Sequence, residues 1–308
     1  MSLGRAFSIG SAGAKIPAIG LGTWQSEPNK VRQAVTTAIQ AGYRHIDCAW
    51  IYRNEDEVGQ GIKDSGIERS KLFVTSKLWN NSHQPDKVEQ ALDETLSNLN
   101  LNYLDLYLMH WPVAFGKGKT SDGKPNIDWD LTHDPLPTWQ AMEKLVDKGK
   151  VKHIGISNFS IQRIQPLLKQ ARIKPAVNQV ELNLQCAQPE LVEWCLNHNI
   201  LVESYSPLGS TGAPQLEDPI VQDIAKQHKV GPANVLISWQ VARGCICLPK
   251  SITPERIKSN FQDVELTADQ VDRLNQRAKE FGLKRTVDPS KAWGVDIFNG
   301  EPQSNAKL

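Results

Sequence analysis

The chain has 308 residues, of which 40% are hydrophobic and 22% are charged, and its formal net charge at pH 7 is +1. This composition is typical of a globular protein, and the near-neutral charge gives no electrostatic case for binding nucleic acid or an anionic membrane. No apolar run approaches the length of a membrane-spanning helix, and the first residues lack the hydrophobic segment of a signal peptide. The length is compatible with two modest domains or one large barrel.

Strand-like runs rich in Leu and β-branched residues recur along the chain, and a helix-like segment follows each of them. We predict eight strands, within residues 18–23, 43–47, 72–79, 104–111, 151–157, 176–181, 200–206 and 245–251. Strands that alternate with helices favour a parallel sheet, and near-continuous apolar strands indicate burial on both faces. We therefore predict an α/β fold, a (β/α)8 TIM barrel, formed by a single domain over residues 1–308.

Two of the intervening segments show clear helical periodicity. Residues 30–42 place Val31, Val35, Ala38 and Ile39 on one face. Residues 87–99 repeat the pattern, with an apolar face formed by Val88, Leu92, Leu96 and Leu99. Such faces are typical of helices that pack on a sheet.

Two segments do not follow the strand–helix rhythm. Residues 112–134 form a polar stretch after the fourth strand, too long for a routine connection. The tail after Gly282 carries Trp293, Ile297 and Phe298 but little periodicity. We expect the long loop and the tail to cover the mouth of the barrel.

The five cysteines of the chain are an odd number in a protein that is not small. This favours reduced thiols in an intracellular compartment. Cys245 and Cys247 flank Ile246, as expected for side chains of a buried strand. A single C-x-C pair without a second pair or a nearby histidine is weak support for a metal site, and we expect no metal.

Four chemically active residues fall at the predicted strand ends. Asp47 ends the second strand, Tyr52 follows it in a loop, Lys77 lies near the end of the third strand, and His110 ends the fourth. In (β/α)8 barrels, catalytic residues lie at the C-terminal ends of strands. Each of the four alone has an ordinary structural explanation, but together they indicate one site.

The four residues make a coherent proton-donating site. A tyrosine phenol can donate a proton to a carbonyl oxygen, and the Lys77 ammonium is expected to lower the pKa of Tyr52. Asp47 can hold Lys77 in place, and a neutral His110 can orient the carbonyl. A serine hydrolase is disfavoured because no G-x-S-x-G motif is present. Residues 58–66, VGQGIKDSG, lack the third glycine of a dinucleotide-binding fingerprint.

Five segments of the sequence resemble, in order, the signatures of the aldo-keto reductase family. They are GYRHIDCAWIYRNEDEVG, LDLYLMHWP, IGISNF, NQVELN and LPKSITPERIKSNF. The resemblance covers nearly the whole chain and is nearest to fungal members that reduce small hydroxyaldehydes or oxidise glycerol. It implies that Asp47, Tyr52, Lys77 and His110 form the catalytic tetrad. It also implies NADPH-dependent reduction of small aldehydes or ketones, reversible as an NADP-dependent glycerol dehydrogenase.

The resemblance also implies a cofactor site without a Rossmann fold. Its residues would be Ser157, Asn158 and Gln179 at the carboxamide, Tyr205 on the nicotinamide ring, Ser206, Leu208 and Ser210 at the pyrophosphate, and Lys250, Ser251, Thr253, Arg256 and Asn260 around the adenosine end. Two cations near a ribose suit a 2′-phosphate, so Lys250 and Arg256 favour NADP(H). The position before Asn260 is often glutamate in the family but is Ser259 here, which puts the strength of adenine binding in question.

Aromatic residues mark the expected substrate site. Trp24, Trp79 and Trp111 each lie at a strand end, and Trp50 lies inside the segment 42–55. Three tryptophans at one rim predict a partly apolar cup. The residues that would close over it are Phe115, Trp129, Trp293 and Phe298. A small aldehyde, ketone or polyol is the expected partner, but this pattern does not select one substrate.

Two alternatives remain open at the level of sequence. A regulatory protein that retains the fold and cofactor but works by binding a partner would also keep these motifs. The C-terminal residues Ala306, Lys307 and Leu308 resemble the peroxisomal import signal Ser-Lys-Leu. We expect a cytoplasmic monomer, with peroxisomal import through this tripeptide as the alternative.

Overall fold

A computed structural model describes residues 2–10, 13–24, 26, 29–210 and 212–298. Its strands are β1 (Ala6–Ile9), β2 (Ala14–Pro17), β3 (Leu21–Gly22), β4 (His45–Asp47), β5 (Phe73–Leu78), β6 (Leu104–Met109), β7 (Ala114–Lys119), β8 (Pro125–Asp128), β9 (Val151–Ser157), β10 (Val177–Glu181), β11 (Leu201–Tyr205) and β12 (Cys245–Cys247). Each of the eight predicted runs contains one strand of the main sheet.

The helices lie mainly between these strands. They are α1 (Val31–Ala41), α2 (Glu55–Asp64), α3 (Val88–Leu99), α4 (Trp129–His133), α5 (Leu136–Asp147), α6 (Ile161–Gln170), α7 (Pro189–Asn197), α8 (Pro219–His228), α9 (Pro232–Ala242), α10 (Pro254–Asn260), α11 (Ala268–Phe281) and α12 (Ser290–Trp293). The predicted apolar faces of α1 and α3 are buried. Helix α1 ends at Gly42, whose φ of 113° only glycine adopts readily.

The main sheet closes into a barrel. Its strands are parallel and lie in the order β12-β11-β10-β9-β6-β5-β4-β3. The first and last strands are joined where Gly20 N donates to Cys247 O at 2.9 Å and Gly22 N donates to Pro249 O at 3.0 Å. The predicted (β/α)8 barrel is therefore confirmed, and the carboxyl ends of its strands meet at one mouth.

An N-terminal hairpin, β1–β2, was not predicted. Its strands pair antiparallel, with Ile9 opposite Ala14. Ile9 and Ile16 are buried in one apolar cluster with Phe73 and Val177. Phe73 is the first residue of β5 and Val177 is the first residue of β10. The hairpin therefore packs against the end of the barrel opposite to the mouth.

The segment 112–134 is more ordered than a long loop. Strands β7 and β8 pair antiparallel within it, and the short helix α4 follows directly. The Asp128 side chain caps α4 by accepting a hydrogen bond from Leu131 N at 3.2 Å. The sequence did not indicate this hairpin because only Ala114 of strand β7 is buried, so the strand lacks an alternating apolar pattern.

Residues 299–308, which include Ala306, Lys307 and Leu308, lie outside the described part of the chain. Within the described residues, no helix combines the length and the apolar character needed to cross a bilayer. All five cysteines are free and buried, and the described residues contain no group of acidic, histidine or cysteine side chains arranged to hold a metal ion.

Candidate active site

The four predicted catalytic residues lie at the carboxyl ends of three neighbouring strands. Asp47 is the last residue of β4, Lys77 is the penultimate residue of β5, and His110 directly follows β6. Tyr52 ends a single 3-10 turn, Trp50–Tyr52, in the loop after β4. Parallel pairing of β4 with β5 and of β5 with β6 brings these residues to the same end of the barrel.

Lys77 is the centre of the cluster. Its ammonium group is fully buried and donates to both carboxylate oxygens of Asp47 at 2.8 Å and to Cys48 O at 2.7 Å. Its fourth neighbour is the Tyr52 hydroxyl, at 3.4 Å. Burial acts to lower the pKa of Lys77, but the Asp47 carboxylate outweighs it and the net pKa is raised. Lys77 is therefore a fixed positive charge beside the Tyr52 hydroxyl.

The pKa of Tyr52 differs from the sequence-based expectation. Burial raises it to about 12, while the nearby Lys77 ammonium acts to lower it. The expected net lowering is therefore wrong in this structure, because desolvation of the phenolate outweighs the attraction of Lys77. Tyr52 keeps its proton at neutral pH. The phenol can release it to an oxygen on which negative charge develops, since Lys77 then stabilises the phenolate.

His110 lies on the other side of the phenol. The Tyr52 and His110 ring centroids are 5.9 Å apart, with the rings at 80° to each other. Burial and the charge of Lys77 hold the pKa of His110 well below its usual range, so the imidazole is neutral. Its Nδ1 atom is buried without a hydrogen-bond partner among the described residues. A neutral imidazole can orient a carbonyl group by donating a hydrogen bond from a ring nitrogen.

The residues expected at the nicotinamide form a connected polar group beside the tetrad. Asn158 donates through Nδ2 to His110 O at 3.0 Å and accepts from the Tyr205 hydroxyl at 2.8 Å. Ser157 Oγ donates to Gln179 O at 2.8 Å. The contact with Asn158 holds the hydroxyl of the partly buried Tyr205. This arrangement fits a nicotinamide ring and its carboxamide.

The loop after β11 has the backbone shape of a phosphate-binding turn. Ser206, Gly209 and Ser210 adopt positive φ angles of 50°, 90° and 66°. Leu208 between them is half-buried against the barrel. Backbone amides in such conformations can form an anion-binding concavity, which fits the pyrophosphate expected at this position.

The expected adenosine site carries the right charges but differs at one residue. Lys250, Thr253 and Arg256 are exposed, and Ser251 accepts a hydrogen bond from Thr253 N at 3.1 Å. Two cations and two hydroxyls on one short stretch before and within α10 suit a ribose 2′-phosphate. The residue that differs from the usual glutamate is Ser259, which is exposed beside the buried Asn260.

Five of the eight predicted substrate residues meet at the barrel mouth, and we call them the aromatic cup: Trp79, Trp111, Phe115, Trp293 and Phe298. Trp293 lies at the centre, with ring centroids 5.3 Å from Trp111, 5.2 Å from Phe115 and 6.2 Å from Trp79. Trp79 also contacts the His110 ring at 5.2 Å. The cup therefore adjoins the tetrad directly.

The remaining three tryptophans, Trp24, Trp50 and Trp129, have other surroundings. Trp24 and Trp129 are 39% and 48% exposed, and Trp129 stacks on His133. Trp50 donates to Glu94 Oε1 at 2.8 Å, and Arg53 covers its ring at 3.6 Å. None of the three has a ring contact with the cup residues in the described structure. The sequence pattern of a tryptophan at a strand end could not distinguish these cases.

Two residues that hold the C-terminal part of the cup were not predicted. The buried carboxylate of Glu181 accepts from Thr286 N at 2.9 and 3.0 Å and from Val287 N at 3.0 Å. Arg163 donates to Asp296 O at 2.9 Å and to Ile297 O at 3.0 Å. The available signal for Glu181 was a charged residue at the carboxyl end of a strand, since Glu181 ends β10.

The chain has many relatives of known name. The profile described as Aldo/keto reductase family matches residues 18–279. Glycerol 2-dehydrogenase (NADP(+)) of Saccharomyces cerevisiae is 46% identical over 91% of this chain and 93% of its own length. Aldo-keto reductase family 1 member A1 of Rattus norvegicus is 46% identical over 90% of this chain and 91% of its own length.

Solved structures show the same similarity. The aldose reductase of Schistosoma japonicum superimposes with a TM-score of 0.88 at 40% identity, covering 96% of this chain and 98% of its own. An aldo-keto reductase of Bombyx mori in complex with NADP gives a TM-score of 0.85 at 36% identity, with the same coverage of 96% and 98%.

Proposed function

Because this chain belongs to the aldo/keto reductase family, we propose that it is an NADP(H)-dependent oxidoreductase that interconverts small carbonyl compounds and their alcohols. The observation that carries the proposal is the contact of Lys77 with both Asp47 and the Tyr52 hydroxyl beside a neutral His110. The substrate class we propose is glyceraldehyde-like aldehydes and ketones in reduction and glycerol in oxidation. A relative named glycerol 2-dehydrogenase (NADP(+)) supports this choice.

The reaction assigns one task to each side chain. The cofactor supplies a hydride to the carbonyl carbon in reduction. His110 orients the carbonyl oxygen, and Tyr52 donates its proton to that oxygen as the negative charge develops. Lys77 stabilises the resulting phenolate, and Asp47 holds Lys77 in place at 2.8 Å. In the oxidative direction the same groups act in reverse, with Tyr52 accepting the proton.

The cofactor residues of the proposal are those named from the sequence. Ser157, Asn158 and Gln179 would hold the carboxamide, and Tyr205 would stack on the nicotinamide ring. The loop from Ser206 to Ser210 would bind the pyrophosphate, and Lys250 with Arg256 would bind the 2′-phosphate. A relative solved in complex with NADP supports the choice of cofactor. Ser251, Thr253 and Asn260 would lie around the adenosine end.

The experiment that tests this proposal is a kinetic comparison across substrates. We would measure kcat/KM for glyceraldehyde, glycerol, xylose, methylglyoxal and an aromatic aldehyde, each with NADP(H) and NAD(H). The highest value is expected for glyceraldehyde with NADPH. A protein that binds NADPH but oxidises it with none of these carbonyls would instead fit the regulatory, partner-binding alternative.

Replacing Arg256 by Ala should weaken NADPH binding far more than NADH binding. A hydrogen bond to a charged group contributes roughly 1.5–3 kcal/mol, so we expect a loss of about 10- to 150-fold in NADPH affinity. Fluorescence titration of both cofactors measures the effect. Lys258→Ala is the matched control, since Lys258 is another exposed cation of α10. Equal weakening of NADPH and NADH would remove Arg256 from the 2′-phosphate site.

We further propose that the protein acts as a monomer in the cytoplasm. The large hydrophobic side chains exposed in the described residues, Leu3, Trp24 and Trp129, are separated along the chain, and scattered apolar residues do not require a partner surface. Five free cysteines favour a reducing compartment. Size-exclusion chromatography with light scattering tests the monomer, for which a mass near 34.3 kDa is expected.

A fluorescent protein fused to the N-terminus should give diffuse cytoplasmic signal. The fusion leaves the C-terminal residues Ala306, Lys307 and Leu308 free to be read by an import receptor. The matched control is the same fusion without these three residues. Punctate signal from the full-length fusion that becomes diffuse in the truncated one would show peroxisomal import and refute the cytoplasmic assignment.

A further inference from the structure

A chain of polar side chains crosses the barrel interior beside Lys77. The amide nitrogen Nε2 of Gln179 donates to Asp47 Oδ1 at 2.8 Å and to Glu203 Oε2 at 2.7 Å. Glu203 lies on β11 and is completely buried. A single amide nitrogen thus connects two carboxyl groups, of which one, Asp47, belongs to the proposed tetrad and the other has no assigned role.

The second oxygen of Glu203 faces a histidine. Glu203 Oε1 has no hydrogen-bond partner among the described residues and lies 3.7 Å from Nε2 of His45 on β4. The other ring nitrogen of His45, Nδ1, faces the Pro17 carbonyl at 3.4 Å. A carbonyl only accepts, so a neutral His45 carries its proton on Nδ1 and leaves Nε2 as an acceptor. Thr75 Oγ1 lies 3.3 Å from this nitrogen, nearer than Glu203 Oε1, so the Thr75 hydroxyl is its donor and Oε1 is left without a partner among the described residues.

The charges around Glu203 favour the protonated acid. The groups that face it are His45 and Asp47 from β4, Lys77 from β5 and Gln179 from β10. Lys77 already makes two hydrogen bonds to Asp47. An ionised Glu203 would add a second buried carboxylate to this single ammonium, and the desolvation cost of an uncompensated buried charge is several kcal/mol.

The pKa shifts act in the same direction as the geometry. Burial raises the pKa of Glu203 to about 8, and the Asp47 carboxylate raises it further, against the opposing effects of Gln179 and Lys77. Burial lowers the pKa of His45 to about 4, while Asp47 and Asp105 oppose this and Lys77 reinforces it. Near pH 7 the imidazole is therefore neutral and Glu203 carries a proton.

We propose that Glu203, as a neutral carboxylic acid, is a positioning residue that orients the Gln179 amide toward the nicotinamide carboxamide of the cofactor. This inference rests on the proposed function. Nε2 of Gln179 donates to Asp47 and Glu203. Its side-chain oxygen Oε1 would therefore be the atom that accepts a hydrogen bond from the carboxamide nitrogen of the cofactor. The neutral acid accepts from Gln179 without competing with Asp47 for Lys77.

Infrared spectroscopy tests the buried proton without any cofactor. The difference spectrum of wild type against Glu203→Gln at pH 7 should show the C=O stretch of a protonated carboxylic acid, above the carboxylate and amide bands, and this band should shift in D₂O. The acid band should disappear in Glu203→Gln. A wild-type spectrum at pH 7 with no such band would overturn the proposal, since Glu203 would be ionised.

Two substitutions separate the neutral acid from a carboxylate. Glutamine has an oxygen that accepts from Gln179 and carries no charge, so it imitates the protonated acid. We expect Glu203→Gln to keep the NADPH Kd within about twofold and Glu203→Leu to raise it about tenfold. The Kd of NADH should rise by the same factor in Glu203→Leu, because both cofactors carry the same carboxamide.

The cofactor Kd values of Glu203→Gln and Glu203→Leu distinguish a neutral acid, a carboxylate and a residue without a positioning role. Damage of equal size in Glu203→Gln and Glu203→Leu would mean that a carboxylate is required and would overturn the proposal. An unchanged Kd in Glu203→Leu would overturn the positioning role. If the wild type bound neither cofactor, the proposed function would fail together with the positioning role, while the infrared band would still decide whether Glu203 holds a proton.

The pH dependence of stability gives an independent result. The folded-state pKa of Glu203, about 8, lies above its ordinary value of 4.5, so the folded state binds more protons between these values. Wild type should therefore lose thermal stability relative to Glu203→Gln as the pH rises from about 5 to about 8.5. The lowered pKa of His45 acts in the opposite sense but is common to both proteins. A Tm difference that stayed constant over this range would contradict a proton on Glu203.

Discussion

Replacing Tyr52 by Phe is expected to lower kcat by at least ~10²-fold, the usual contribution of general acid catalysis being ~10²–10⁴-fold. The substitution removes only the hydroxyl that lies 3.4 Å from Lys77. The phenyl ring keeps its edge-to-face contact with His110, so the cofactor site should be unchanged and the NADPH Kd should stay within about twofold. Steady-state kinetics and fluorescence titration measure the two effects separately.

The matched control for this substitution is Tyr103→Phe. Tyr103 is a half-buried tyrosine that precedes β6, at the opposite end of that strand from His110, and its ring contacts Arg69 and Lys152. This variant should keep its kcat within about twofold because it is remote from the reacting groups. Near-normal kcat in Tyr52→Phe would show that another group donates the proton.

Lys77→Met is expected to reduce kcat by a similar factor and also to destabilise the protein by roughly 3–5 kcal/mol. The fully buried Lys77 is the cation that pairs with the buried Asp47 carboxylate. Its removal leaves that carboxylate uncompensated and deprives the Tyr52 phenolate of its stabilising charge. Denaturant unfolding and steady-state kinetics check the two parts.

A double substitution distinguishes the two roles of Lys77. Adding Asp47→Asn to Lys77→Met removes the uncompensated charge, so much of the lost stability should return. Activity should not return, because no cation then lies beside Tyr52. Recovery of both stability and kcat in the double variant would show that Lys77 acts only as a structural counter-ion.

The helices and strands of the barrel were predictable because their buried residues follow local patterns of apolar residues in the sequence. The apolar faces of α1 and α3 follow helical spacing, and each predicted strand run contains a barrel strand. The hairpins β1–β2 and β7–β8 were missed because their strands are short and only partly buried. These four strands have no continuous row of apolar residues, so their positions depend on tertiary contacts that the local sequence does not show.

The candidate site was predictable to the extent that strand topology alone determines it. Asp47, Lys77 and His110 come together because neighbouring parallel strands end at one mouth. The difference between Trp79, which contacts Trp293, and Trp24, which is exposed, depends on long-range packing that no local pattern records. The raised pKa of Tyr52 was missed for the same reason, since burial is a property of the whole fold.

The central claim is that this protein transfers a hydride from NADPH to a small carbonyl compound at the Tyr52 site. The direct measurement uses NADPH deuterated at the transferring position of the nicotinamide C4, glyceraldehyde, and mass analysis of the product. We predict glycerol that carries one deuterium with the wild type, and little label with Tyr52→Phe over the same time. Bound NADPH that transfers no deuterium to glyceraldehyde or to any other carbonyl of the panel would contradict the claim.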